Sequence, residues 1–119
     1  MKITSDDSLF LDEVFTELKK ERVKVEKETE EVKGAMGIIT TAIEILTNLD
    51  INDTVEHIET IINLIVFWKN SRRINYLHYK IKDGAEVKLN NLTDDQLQEF
   101  VETLRKNFNQ LEYIHTGKK

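Results

Sequence analysis

The chain has 119 residues, 39% hydrophobic and 33% charged, with a formal net charge of −5, no proline and no cysteine. At this length one domain with its own core is expected, since ~65% of the unfolded surface can be buried. The missing cysteines exclude disulfides and thiolate metal sites.

The opening Met-Lys-Ile-Thr-Ser-Asp-Asp has no apolar stretch of the kind a signal peptide needs. The most apolar run, Ile58 to Trp68, is interrupted by Glu59, Thr60 and Asn63 and is too short to span a bilayer. A soluble, cytoplasmic protein without membrane contact is therefore expected. Charge is unevenly spread: residues 1–68 carry 7 basic and 15 acidic side chains, residues 69–88 carry 6 and 2, and residues 89–119 carry 4 and 5. A basic island lies between acidic flanks.

The first predicted element is a long helix over residues 6–49. Ser5 is placed to cap it, with Asp6 and Asp7 in a first turn where the helix dipole favours negative charge. Leu11, Leu18, Val25, Val32, Ile39 and Leu46 recur every seven residues, one seam position of a coiled coil. The companion position is weaker: Val14, Glu21, Glu28, Ala35, Ala42 and Leu49. Unbroken, such a helix would be roughly 66 Å long, against a radius of gyration of ~13–14 Å for a compact chain of this size. Three outcomes are open: a break at Gly34 or Gly37, a projecting first half that pairs with another chain, or close helix packing at the two glycines. The charged stretch from Lys19 to Lys33, with Arg22/Glu26, Lys24/Glu28 and Lys27/Glu31 four apart, suits a solvated helix.

A second helix is predicted over 54–70, with Asp53 and Glu56 as a capping-box-like start. It is apolar on most sides by its end, so several neighbours or another subunit must bury it. Residues 74–89 predict a hairpin around Lys82-Asp83-Gly84, with Gly84 left-handed. Pairing Ile81 with Ala85, Tyr79 with Val87 and Leu77 with Leu89 makes one face fully apolar. The other face then holds Tyr76, His78, Lys80, Glu86 and Lys88. A third helix follows over 94–113, with a Thr93/Gln96 capping box, a Leu92/Leu97 staple and a stripe of Leu97, Phe100, Val101, Leu104, Phe108 and Leu111. Gly117 is placed to end it.

Together these predict a mainly α chain (a small α+β fold): a long N-terminal helix and two further helices packed as a helical bundle, with the hairpin's apolar face on that core. The predicted core is Ile39, Ile43, Leu46, Ile58, Ile62, Ile65, Leu77, Tyr79, Val87, Leu97, Val101, Leu104 and Phe108.

His57, His78 and His115 fall on three different elements at no ligand spacing, and neither a Gly-rich phosphate loop nor a nucleophile elbow is present. No catalytic residue, cofactor or metal is assigned. A Mg²⁺-dependent helical nucleotide hydrolase would need Glu28, Glu31, Glu56 and Glu59 to converge from facing helices, and no Asp completes the second pair. The function expected is that of a non-catalytic, self-associating interaction protein: an adaptor, inhibitor or regulator. It would be a homodimer through the seam of Leu11, Leu18, Val25, Val32, Ile39 and Leu46, and would bind a protein partner. The alternative is a nucleic-acid-binding regulator using Arg72, Arg73, Tyr76, His78, Lys80, Lys82 and Lys88. There the cations would release counterions from phosphate and the tyrosines would stack on bases. An acidic protein partner fits the same patch, and lysines on an exposed strand also guard against edge-to-edge pairing.

Overall fold

The structure, a computed structural model, describes residues 1–32, 37–46 and 51–119, with the backbone alone at Val32 and at 51–55. The first helix is short: α1 spans Ser8–Lys20. Its cap is Asp7, whose side chain accepts from the Leu9 amide at 2.9 Å, while Ser5 Oγ accepts from the Asp7 amide at 3.0 Å. The helix ends in a Schellman turn. The Val23 amide donates to Leu18 O at 3.1 Å and the Arg22 amide to Lys19 O at 3.0 Å. Arg22 takes the left-handed position, φ 64°, that glycine usually fills. Leu18 and Val23 are both buried, supplying the apolar contact that accompanies the motif.

Beyond this turn the chain pleats. Val23, Val25 and the Ile- and Thr-rich run after Gly37 are β-branched residues, which pack well on a sheet. Past Val23, β2 (Val25–Val32) and β3 (Gly37–Ile45) follow. The four residues Lys2–Ser5 form β1. Helix α2 (Ile51–Asn70) leads into β4 (Tyr76–Ile81) and β5 (Glu86–Leu89). Helix α3 (Asp94–Asn107) is followed by a 3-10 turn, Phe108–Gln110, and by β6 (Leu111–Gly117). The six strands make one mixed sheet in the order β2-β3-β1-β6-β4-β5. The central pair, β1 and β6, is parallel, and every other neighbouring pair is antiparallel.

The fold therefore corrects the predicted one. The long N-terminal helix and the helical bundle are absent. The described residues of 6–49 divide into a helix and two strands, so the seven-residue spacing never becomes a seam. Leu11 and Leu18 lie on α1, Val25 and Val32 on β2, Ile39 on β3 and Leu46 just beyond it, and these residues form no coiled coil. Gly37 opens β3 at φ 73°; Gly34, Ala35 and Leu49 lie outside the described residues. Helix α2 starts at Ile51, so Asp53 is inside the helix rather than capping it. The predicted third helix stops at Asn107, and its last turns are the 3-10 turn and β6.

Two local predictions agree with the structure. Thr93 and Gln96 make a reciprocal capping box at 3.2 and 3.1 Å. In the hairpin, Leu77 pairs with Leu89 and Tyr79 with Val87. At its turn, however, the left-handed residue is Asp83, φ 62°, rather than Gly84, and the second strand starts at Glu86.

The helices form one layer on the sheet, with α2 in contact with both α1 and α3. That middle position explains its apolar girth: Ile58, Ile61, Ile62, Ile65 and Trp68 are all buried. The Trp68 ring meets Phe10 of α1 edge-on at 5.4 Å, and Phe100 of α3 packs on Tyr79 of β4 at 5.1 Å. Of the predicted core, Ile39 and Val87 are only half-buried and Leu46 is 51% exposed, while the other ten are buried. No helix among the described residues is long and apolar enough to cross a membrane.

Leu104 is fully enclosed, so Leu104→Ala should cost about 2–5 kcal/mol in chemical denaturation. Arg22→Gly should stabilise by about 0.5–1 kcal/mol, because the left-handed strain it removes exceeds the chain entropy it adds. A lower denaturation midpoint for that variant would refute the strain argument.

Candidate functional site

Strand side chains alternate between faces, and here the two faces differ in kind. Ile3, Ile43, Leu77, Tyr79 and Ile114 point into the helix layer and are buried. Among the described residues the opposite face carries no helix, with Lys119 lying over Tyr76 at one end, and it holds two rows that cross all six strands. One row reads Glu26, Glu44, Lys2, Tyr113, Lys80, Glu86 from β2 to β5; the other reads Glu28, Ala42, Thr4, His115, His78, Lys88. Acidic groups thus gather on β2 and β3, and lysine and histidine on β6, β4 and β5. The only carboxylate of the second half within these rows is Glu86, which accepts from the Tyr113 hydroxyl at 2.7 Å. That bond, followed by nearby Lys88, His78 and Lys80, holds the Glu86 carboxyl below the usual carboxylate range. Lys80 also reaches Glu112 at 3.3 Å, and Lys2 reaches Glu28 at 3.2 Å.

Near the middle of this face sits a hydrogen-bonded cluster. His115 Nδ1 lies 2.7 Å from Thr4 Oγ1, and its Nε2 lies 3.1 Å from the Tyr76 hydroxyl and 3.5 Å from Asp6 Oδ1. The Tyr76 hydroxyl donates to Asp6. Burial, reinforced by Asp6, raises the Tyr76 phenol well above its ordinary value. Burial also lowers the His115 imidazole below its ordinary value, opposed by Asp6 and assisted by His78 and Lys119. His78 stands beside them, its ring 5.0 Å from Tyr76 and 6.1 Å from His115. Gly117 makes the closure possible: a Cβ there would fall 2.6 Å from both the Asp6 carboxylate and the Tyr76 hydroxyl. Both nitrogens of His115 face protein partners, so the ring is built to brace the sheet rather than to take a proton from a bound molecule.

The predicted basic patch is divided. Tyr76, His78, Lys80 and Lys88 share the uncovered face. The Tyr76 ring is only 2% exposed, and Tyr79 faces the helices. Neither ring offers a surface on which a base could stack. Arg72 and Arg73 line an open cleft of about 390 Å³ with Asp6, Asp7, Ser8, Leu9 and Lys118. Arg73 lies over the Trp68 ring at 4.9 Å, and Arg72 is the left-handed residue, φ 60°, of the α2 Schellman turn. Lys82 lies at the hairpin turn, beyond the far end of β4.

The carboxylates weighed for a magnesium site are also separated by the fold. Glu28 and Glu31 sit on a strand and Glu56 and Glu59 on a helix, and Glu59 is held by Arg105 at 2.6 and 3.0 Å. No group of three His, Asp or Glu side chains among the described residues is arranged to hold a metal. His57 is apart from the other histidines, buried and 2.7 Å from Glu21 at the end of α1. The spacing of His78 and His115 gave no hint of their meeting, because β4 and β6 become neighbours only through the sheet. No protein family, curated protein or solved structure matches this chain.

Gly117→Ala should push Asp6 and Tyr76 apart and cost about 1–3 kcal/mol in chemical denaturation. The depressed His115 pKa means the unfolded chain takes up this proton first. The stability it contributes is full above the ordinary histidine value and is lost as pH falls through the folded value. His115→Gln should therefore lose less stability than the wild type between pH 7.5 and 5.5; equal losses would rule out His115 as the source.

Proposed function

We propose that this chain is a non-catalytic binding module that engages a protein partner through the uncovered face of its sheet, acting as an adaptor, inhibitor or regulator. One observation carries the reading: a surface six strands wide holds Glu26, Glu28 and Glu44 on one half and Lys80 and Lys88 on the other, with Lys2 and Glu86 as the exceptions. Opposed charges set on a rigid sheet favour a protein of matching pattern and repel the wrong one. A polyanion matches only half of it, since Glu26, Glu28 and Glu44 would repel phosphate. The buried rings of Tyr76 and Tyr79 argue the same way against nucleic acid, leaving only the half-buried Tyr113 on this face. The double engagement of His115 supports binding over acid–base chemistry. The cysteine-free sequence suits the reducing cytoplasm, where we place the protein.

Affinity capture from lysate, read by mass spectrometry, tests the proposal. Wild type should retain a discrete protein partner. Lys80→Glu and Glu44→Lys should each lose it at least tenfold, whereas Glu102→Lys on α3 should not. Capture indifferent to both face variants, or retention of nucleic acid that falls steeply with salt, would overturn the reading.

A further inference from the structure

We infer that the partner of the uncovered face is a second copy of this chain, held face to face by a two-fold axis that runs along the strands. This rests on the reading of that face as a binding surface. The symmetry follows from the order of the rows. Rotation by 180° about an axis parallel to the strands turns one sheet over and exchanges its left and right halves. Each row then meets itself reversed. Glu44 comes opposite Lys80 of the second copy, Glu28 opposite Lys88, and both pairings occur twice. In the centre Lys2 faces Tyr113 and Thr4 faces His115. One opposition is unfavourable, Glu26 against Glu86 at the rim, where solvent screens it. An axis across the strands would instead set the acidic half on the acidic half, so charge selects the first arrangement.

The size of the face sets the strength. Six strands about 4.8 Å apart and some five residues long present roughly 450 Å² per copy. About 900 Å² in total lies below the range of permanent dimers and suits a reversible one. The association should have a Kd on the order of 10–100 µM and weaken several-fold as salt rises from about 0.05 to 0.5 M.

The test uses two charge-reversed proteins studied by sedimentation velocity. Glu28→Lys with Glu44→Lys makes the face mainly basic, with Glu26 and Glu86 left at the rims; Lys80→Glu with Lys88→Glu makes it mainly acidic, with Lys2 left on β1. Wild type should show a salt-sensitive dimer at 200 µM. Each variant alone should be monomeric, and an equimolar mixture should form a heterodimer of about the wild-type affinity, because it restores the same four Glu–Lys oppositions. Circular dichroism checks that both variants are folded. A mixture that stays monomeric overturns self-association, as does a dimer that survives in either variant alone. If the face variants still lose a captured partner in that event, the binding face stands and only the second copy is refuted.

Discussion

Everything in this molecule hangs on the parallel ladder between β1 and β6. Lys2 to Ser5 pairs with Tyr113 to Thr116, and the Asp6 amide extends the ladder by donating to Thr116 O at 3.0 Å. Without it the sheet is two separate three-stranded pieces, β2-β3-β1 and β6-β4-β5. Its two partners are more than a hundred residues apart, so the loop closed by this pairing is nearly the whole chain. Ile3 and Ile114, both buried beneath the helices, supply the apolar burial that offsets that entropy. Such a central, non-local pairing also implies slow folding compared with a helical bundle of equal length.

The same ladder creates the functional surface. It brings an acidic hairpin and a lysine- and histidine-bearing hairpin into one plane, and the helices then cover only one side of that plane. The Tyr76–Asp6–His115–Thr4 cluster spans the joint, tying β4, β6, β1 and the start of α1 together. Its polar atoms are spent on one another, which leaves the neighbouring Glu28, Glu44, Lys80 and Lys88 as the groups that face outward. A surface can then recognise by charge while the strands that carry it stay fixed.

What was legible in the sequence was local. The α3 cap depends on Thr93 and Gln96 three residues apart, and the β4–β5 register depends on alternation within fourteen residues. The errors arose where short-range preference and tertiary pairing disagree. Glu and Lys are good helix formers, so the charged run after Lys19 looked like a solvated helix. In the fold it is an edge strand, where charge protects against unwanted pairing. The β-branched residues at 38–45 carried the contrary signal, as did Tyr113, Ile114 and Thr116 in β6, but the seven-residue spacing and the reach of Leu111 outweighed it. Arg22 ending a helix in the left-handed conformation had no glycine to announce it. The site suffered most: Thr4, Asp6, His78 and His115 come from three distant parts of the chain, and only β1–β6 and β6–β4 pairing assembles them.

The parallel sense of the central ladder also has a mechanical consequence. Because β1 and β6 run the same way, Met1 and Lys119 emerge at opposite ends of the sheet. A pull on the two ends would slide these strands past each other along their length. All the bonds between them would then be loaded together, instead of peeling open one by one. The protein should act as a stiff link under tension, yielding abruptly when the ladder shears.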